Sequence, residues 1–293
     1  MKNMIPKIIY VFWDGKMNTF VSSCFENIQR MNPKFKVILL SSKSINDKPL
    51  NYEKLSVQAK SDWARVDAVS KTGGVWIDIS CIVLKPFESW IDFDSDTFHA
   101  FEVPFGCDVI ESWAFAAPKN CPLVHAWKNE FKQAIEKGFE IYNNENDAPK
   151  CLKSWLPYLT IHQALHIARE KISPKNLKIM KSTTTNMPFY EVSKCKWDNS
   201  CFVNTLKNAS KLDSIFIKLT GSMNIAINKV GVRRMNIIEL LRKNKYSHVE
   251  RVLGIRIGYR ELSAKIYILV LGIILTFIII FIMKKLSIIN KLI

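Results

Sequence analysis

A helix-forming stretch passes through a glycine pair directly into an alternating apolar strand in SDWARVDAVSKTGGVWIDIS, residues 61–80. A helix that turns so tightly into a strand must lie against the sheet that the strand joins, which commits the chain to layered α/β structure. Ser61 is placed to cap a helix through Lys71 that ends at Gly73 and Gly74, and residues 75–84 read as the strand. Within that strand Val75, Ile77 and Ile79 fall on one face, while Trp76, Asp78 and Ser80 fall on the other. An aspartate in such a run either faces a site or serves a local turn or helix cap. The rest of the chain has to choose.

The same alternation fills the first ninety residues. KIIYVFW, residues 7–13, is a strand candidate, followed by a turn at Asp14 and Gly15; residues 19–31 form a helix that Asn32 and Pro33 stop; residues 35–40 read as a buried strand. This βαβαβ order predicts a mostly parallel sheet covered by helices. Beyond Pro86, residues 97–103 and 113–117 look like further strands, 122–137 and 160–171 like helices, and 143–150 like a polar loop. With 293 residues, 48% of them hydrophobic, there is material for one large core or two small ones.

The C-terminal part is of another kind. Residues 266–283, IYILVLGIILTFIIIFIM, carry no charge and are bounded by Lys265 and Lys284. As a helix rising 1.5 Å per residue they would span roughly 27 Å, the thickness of a bilayer core. The chain is therefore expected to divide into a head, residues 1–258, and a juxtamembrane segment with a single-pass C-terminal transmembrane anchor, residues 259–293, the basic stretch 230–262 lying along the membrane and the head on the cytosolic side. A net charge of +16 with no basic helix or RNA-binding signature points to anionic lipid or phosphorylated substrates, and not to nucleic acid. Seven scattered cysteines without a CxxC pair read as reduced thiols.

Asp62 and Arg65, three apart, share a helix face, and their helix leads into the strand that carries Asp78. Ligands of open α/β sheets bind at the carboxyl ends of strands, so the three converge at one crevice unless Asp62 and Arg65 form only a surface ion pair.

At this point the chain resembles a known group. SDWARVDAVSKTGGVWIDIS is similar to the SDxxRxxxLxxxGGxxxDxD block of DxD-type sugar transferases, and its ending DIS looks most like the capsular polysaccharide synthesis family, where DxT or DxS often replaces DxD. More distant similarity extends to initiation-type mannosyltransferases and glycosylating clostridial toxins. IPKIIYVFWDG, SWAFAAPKNCPLVHAW and FIKLTGS fit in the same order, so the resemblance covers residues 5–222. It implies a GT-A-like α/β fold and a nucleotide-sugar donor, UDP- or GDP-linked, with a glycan or lipid-linked acceptor. By the same resemblance Trp13 lines the nucleotide base, Asp62 and Arg65 hold the donor sugar, Asp78 contacts ribose, sugar or metal, and Ser80 takes the metal-binding position. Lys218 falls near the diphosphate, with Thr220 and Ser222 as additional contacts.

A departing nucleoside diphosphate carries charge that Mg²⁺ or Mn²⁺ and basic side chains can neutralise, and hard cations take oxygen ligands. Serine in place of aspartate at position 80 removes one anionic ligand, which weakens metal affinity or shifts the task to Lys218. On the acceptor side Glu102, Asp108 and Glu111 are candidate general bases; His162 is a candidate or a structural histidine, and Trp63 and Trp127 read as core. Two other readings stand beside the transferase: a noncatalytic nucleotide-sugar-binding protein, and a membrane-surface scaffold in which the three charged residues are structural.

Overall fold

The computed structural model describes residues 4–218, apart from 18, 105, 199, 203, 204 and 206–211. The expected anchor at 266–283, the basic segment 230–262, Thr220 and Ser222 lie outside the described residues. Among those described, no helix is long and apolar enough to cross a membrane.

The elements follow the predicted alternation. β1 (Ile8–Phe12), α1 (Thr19–Met31), β2 (Lys36–Leu40), α2 (Val57–Thr72) and β3 (Gly74–Ile77) come first, then β4 (Cys81–Val83), β5 (Phe98–Glu102), β6 (Ile110–Ala117) and α3 (Pro122–Lys137). The chain continues through α4 (Phe139–Glu145), α5 (Lys150–Lys153), α6 (Thr160–Ile172), β7 (Leu177–Met180), α7 (Tyr190–Lys194) and β8 (Phe216–Lys218). The main sheet has the order β2-β1-β3-β6-β5-β7. Its pairs β1–β2, β1–β3 and β5–β7 are parallel, and β6 alone runs against its neighbours β3 and β5.

Alternation along the strands builds a core on each face of this sheet. Ile9, Val11, Val75 and Ile77 pack with α1, Trp90, Phe101, Trp113 and Phe216. Tyr10, Phe12, Trp76 and Phe115 pack on the opposite face with Trp63, Trp127 and Phe131. The two tryptophans expected in the core are fully buried there, with their indole N–H groups donated to the carbonyls of Asp47 and Ile161 at 2.7 and 3.0 Å.

Several boundaries differ from expectation for identifiable reasons. The cap of helix α2 lies five residues before the predicted one because Ser56, not Ser61, accepts the amide of Ala59 at 3.2 Å, so Asp62 and Arg65 sit inside the helix. The strand expected over 75–84 breaks at Asp78. The Asp78 amide makes a last sheet contact to the Trp113 carbonyl at 2.8 Å, and the Cys81 amide then closes a turn on the Asp78 carbonyl at 3.0 Å. Beyond this turn β4 leaves the main sheet and pairs antiparallel with β8 in a second sheet. β6 starts three residues earlier than predicted, and α4 occupies the first part of the expected polar loop.

The cysteine expectation is corrected as well. Cys107–Cys151 and Cys195–Cys201 form disulfides, while Cys24, Cys81 and Cys121 are free and buried. Separations of 44 and 6 residues match no sequence motif, so only the folded chain brings these thiols together.

Candidate functional site

Strands β1, β2, β3, β5 and β7 point the same way, so their carboxyl ends share one edge of the sheet. Because β6 is antiparallel, the start of that strand, Ile110 to Ser112, lies on the same edge. Trp13 and Asp14 follow β1 there, and Asp78 follows β3. Helix α2 returns antiparallel to β3 and places its early turns, with Asp62 and Arg65, over this edge.

The three residues converge as the sequence predicts. Arg65 Nη2 lies 2.8 Å from Asp62 Oδ1 and 3.3 Å from Asp78 Oδ1, while Nη1 donates to the Ser112 hydroxyl. Its guanidinium carbon also stands 5.4 Å from the centre of the Trp76 ring. The pair is no surface feature, for the Arg65 side chain is only 6% exposed. Trp76 Nε1 donates to Asp78 Oδ1 at 3.1 Å, and Lys218 Nζ donates to Oδ2. The register of the second sheet, with Cys81 opposite Lys218, delivers this lysine from 140 residues away. Lys218 Nζ also lies 5.5 Å from the Trp113 ring centre.

The two aspartates respond oppositely to this setting. Burial opposes charge on Asp78, but Lys218 and Arg65 outweigh it and hold the carboxyl below its ordinary range. Burial also dominates at Asp62, where Arg65 pulls down, Asp78 pushes up, and the carboxyl ends above its ordinary range. For Lys218 burial works against the ammonium, yet the Asp78 charge carries the net shift upward. Burial pushes the Cys81 thiol beside it up to about 12, which rules out a thiolate nucleophile at neutral pH.

The remaining candidates divide. Trp13 is partly buried at the end of β1, its backbone amide on the Leu40 carbonyl at 2.9 Å. Glu111 and His162 meet across the start of β6, with His162 Nε2 at 3.2 Å from Glu111 Oε2 and 3.4 Å from the Ser112 amide. Asp108 instead pairs with Arg169 at 2.6 Å and is largely exposed. Glu102 ends β5 without joining the Asp78 cluster. Sequence reasoning missed Ser112, Trp76 and Trp113 as members of the site. The first is signalled only by its place on the strand antiparallel to β3, and the two tryptophans look like ordinary core.

A divalent cation would find oxygen at Asp78 and at Ser80 in the following turn. Both Asp78 oxygens already receive N–H donors, so these residues fit a hard cation only in company with a ligand's own phosphates. Among the described residues no group of three or more His, Cys, Asp or Glu side chains gathers around a metal position.

A family model described as "Capsular polysaccharide synthesis protein" matches residues 1–221. No curated protein matches the chain. Similar solved structures include a glycosyltransferase involved in glycosylation of the major capsid of PBCV-1, with TM-score 0.43, 15% identity, and coverage of 77% of this chain and 98% of that one. The apo-form glycosyltransferase GlyE of Streptococcus pneumoniae TIGR4 gives TM-score 0.44 and 10% identity over 85% of this chain and 62% of its own. The PaToxG glycosyltransferase gives TM-score 0.36 and 12% identity over 58% of this chain and 78% of its own.

Proposed function

The chain belongs to the capsular polysaccharide synthesis family, and from that premise we propose that it is a glycosyltransferase that moves a sugar from a nucleoside-diphosphate donor, UDP- or GDP-linked, to a glycan or lipid-linked acceptor. The observation that carries the reading is the ionised Asp78 at a strand end, gripped by Arg65 from α2 and Lys218 from β8. Three charges from distant parts of the sequence are held at the edge where open α/β sheets take ligands. GT-A-like is the fold name proposed for this head, spanning residues 1–258.

Asp62 and Asp78 accept hydrogen bonds from the hydroxyls of the donor sugar or ribose, and Trp13 lines the base. As the bond from the anomeric carbon to the phosphate oxygen breaks, its electron pair goes to the leaving diphosphate, and Lys218 and Arg65 face that growing charge. Both cations are already held in place and shielded from water, so little reorganisation is needed when the charge appears. A divalent cation, Mn²⁺ or Mg²⁺, would be held by Asp78 and Ser80 and would supply further charge neutralisation. With one carboxylate in place of two, weak binding of that cation is expected. The acceptor hydroxyl attacks the anomeric carbon and gives up its proton; Glu111, paired with His162 at the start of β6, is the carboxylate proposed to take it.

We further propose that residues 266–283 anchor the head to a membrane, with residues 259–265 leading into the span. Confinement beside a bilayer raises the effective concentration of a lipid-linked acceptor. The deciding experiment is release of nucleoside diphosphate from a panel of UDP- and GDP-sugars by the full-length protein in detergent, across a Mn²⁺ titration. One donor is expected to be turned over, and Asp78→Asn is expected to lower the rate by about 100-fold or more. Silence across the panel, or an unaffected variant, overturns the reading.

A further inference from the structure

Deepening the transferase reading and resting on it, we propose that the groove beside α4 and α5 is a glycan acceptor subsite, with Trp155 and Tyr158 as its sugar-stacking platform. This groove, with a volume of about 680 Å³, is lined by polar groups including Glu140, Asn143, Asn146, Asp147 and Lys153, and by Pro157 at its rim. Amides and carboxylates are the groups that pair with sugar hydroxyls, each donating or accepting in a fixed direction. The lining is poor in cations, since Lys153 pairs with Asp147 at 3.0 Å and stands beside a second carboxylate, Glu140. The groove therefore suits an uncharged, hydroxyl-rich ligand and not the nucleotide.

Two large aromatic side chains stand open on the segment that borders it. Trp155 is 51% exposed and Tyr158 is 70% exposed, whereas Trp63, Trp76 and Trp127 are fully buried. An exposed aromatic ring with a polar tip is suited to ligands that are apolar on one side and wet on the other. A pyranose has that character, with C–H groups on its face and hydroxyls around its rim. The aromatic segment is also held firmly. The Trp155 amide bonds the Leu152 carbonyl at 2.8 Å, the Leu159 amide bonds the Trp155 carbonyl at 3.1 Å, and the Cys107–Cys151 disulfide ties α5 to the loop between β5 and β6. A platform pinned before the ligand arrives loses less entropy on binding.

The groove connects to the donor cluster through the first turn of α6. Asn143 Nδ2 donates to the Thr160 hydroxyl at 2.9 Å, and that hydroxyl donates to the Pro157 carbonyl at 2.7 Å. Two residues later His162 touches Glu111 and the Ser112 amide, and the Ser112 hydroxyl accepts from Arg65, which reaches Asp78. The first turn of α6 thus carries Thr160 on the side of the groove and His162 on the side of Glu111, the carboxylate proposed to take the acceptor proton.

The test is an array of neutral gluco-, galacto-, manno- and N-acetylgluco-oligosaccharides, probed with the full-length protein in detergent with and without saturating UDP and GDP. Tryptophan emission measures affinity for any glycan retained. Wild type is expected to hold at least one glycan class, Trp155→Ala with Tyr158→Ala to bind it at least tenfold more weakly, and Trp155→Phe to keep most of the affinity. Equal binding by the double variant with an unchanged unfolding temperature overturns the platform, as does an array that wild type leaves empty. Silence in the donor panel would sink the transferase reading and leave this binding readout standing, so the two failures are separable.

Discussion

Asp62 and Asp78 share one arginine and yet are predicted to affect stability in opposite directions. Asp78, with its pKa held low, contributes stability that is present above the ordinary value of 3.8 and lost as pH falls through its folded value. Asp62, with its pKa raised, contributes nothing below 3.8 and costs stability as pH rises through its folded value, the whole cost being present above it. Asp62→Asn is therefore expected to raise the urea midpoint at pH 7, with the gain shrinking at pH 4. Asp78→Asn is expected to lower the midpoint at pH 7, with a loss of about 1–3 kcal/mol in unfolding free energy, because it removes the negative charge that faces two largely buried cations. Matching signs for the two variants would refute this account. A residue that costs stability and still occupies a buried position is the pattern of a functional side chain. Of the cluster, Asp62, Arg65 and Asp78 were legible in the sequence because helix spacing and strand alternation are local rules. Lys218 was reachable only through resemblance, since nothing local ties a residue in FIK to an aspartate 140 positions earlier.

At the scale of elements the glycine pair does something different from what its nearness to Asp78 suggests. Gly73 and Gly74 lie at the amino end of β3, away from the site, and let three strands meet there. A Cβ on Gly73 would come within 2.5 Å of the Lys119 amide nitrogen and 2.7 Å of the Pro118 carbonyl carbon, and φ is +72°. Gly15, with φ +84°, has nothing within 4 Å of its own virtual Cβ. Gly73→Ala is accordingly expected to cost more than about 1 kcal/mol and to exceed Gly15→Ala, which carries only the backbone penalty. Comparison of their thermal unfolding midpoints checks this, and equal losses would show that the close approach at Gly73 is easily relieved. The longer helices and the strands up to β6 were readable from apolar periodicity to within a few residues, whereas β7, β8 and the short helices α4, α5 and α7 were not. Nor were the strand breaks, because the exit of β4 toward β8 depends on a partner strand far along the chain.

For the whole molecule, the thiols decide which environment the head meets. A cytosolic head agrees with seven reduced cysteines, but four of them pair, and disulfides persist where the surroundings are oxidising. The Cys107–Cys151 bridge joins segments 44 residues apart and fastens α5 to the loop that leads into β6. Loss of such a bridge frees the unfolded chain and typically costs about 2–4 kcal/mol. Titration of the full-length protein with a maleimide in denaturant is expected to find three thiols before reduction, those of Cys24, Cys81 and Cys121, and seven afterwards. That result, on protein taken from its own cells with free thiols blocked during lysis, would place the head in an oxidising environment. Seven thiols before reduction would restore the reducing environment, and would leave α5 joined to the loop before β6 through the Val103, Val109 and Leu152 cluster without a covalent bridge.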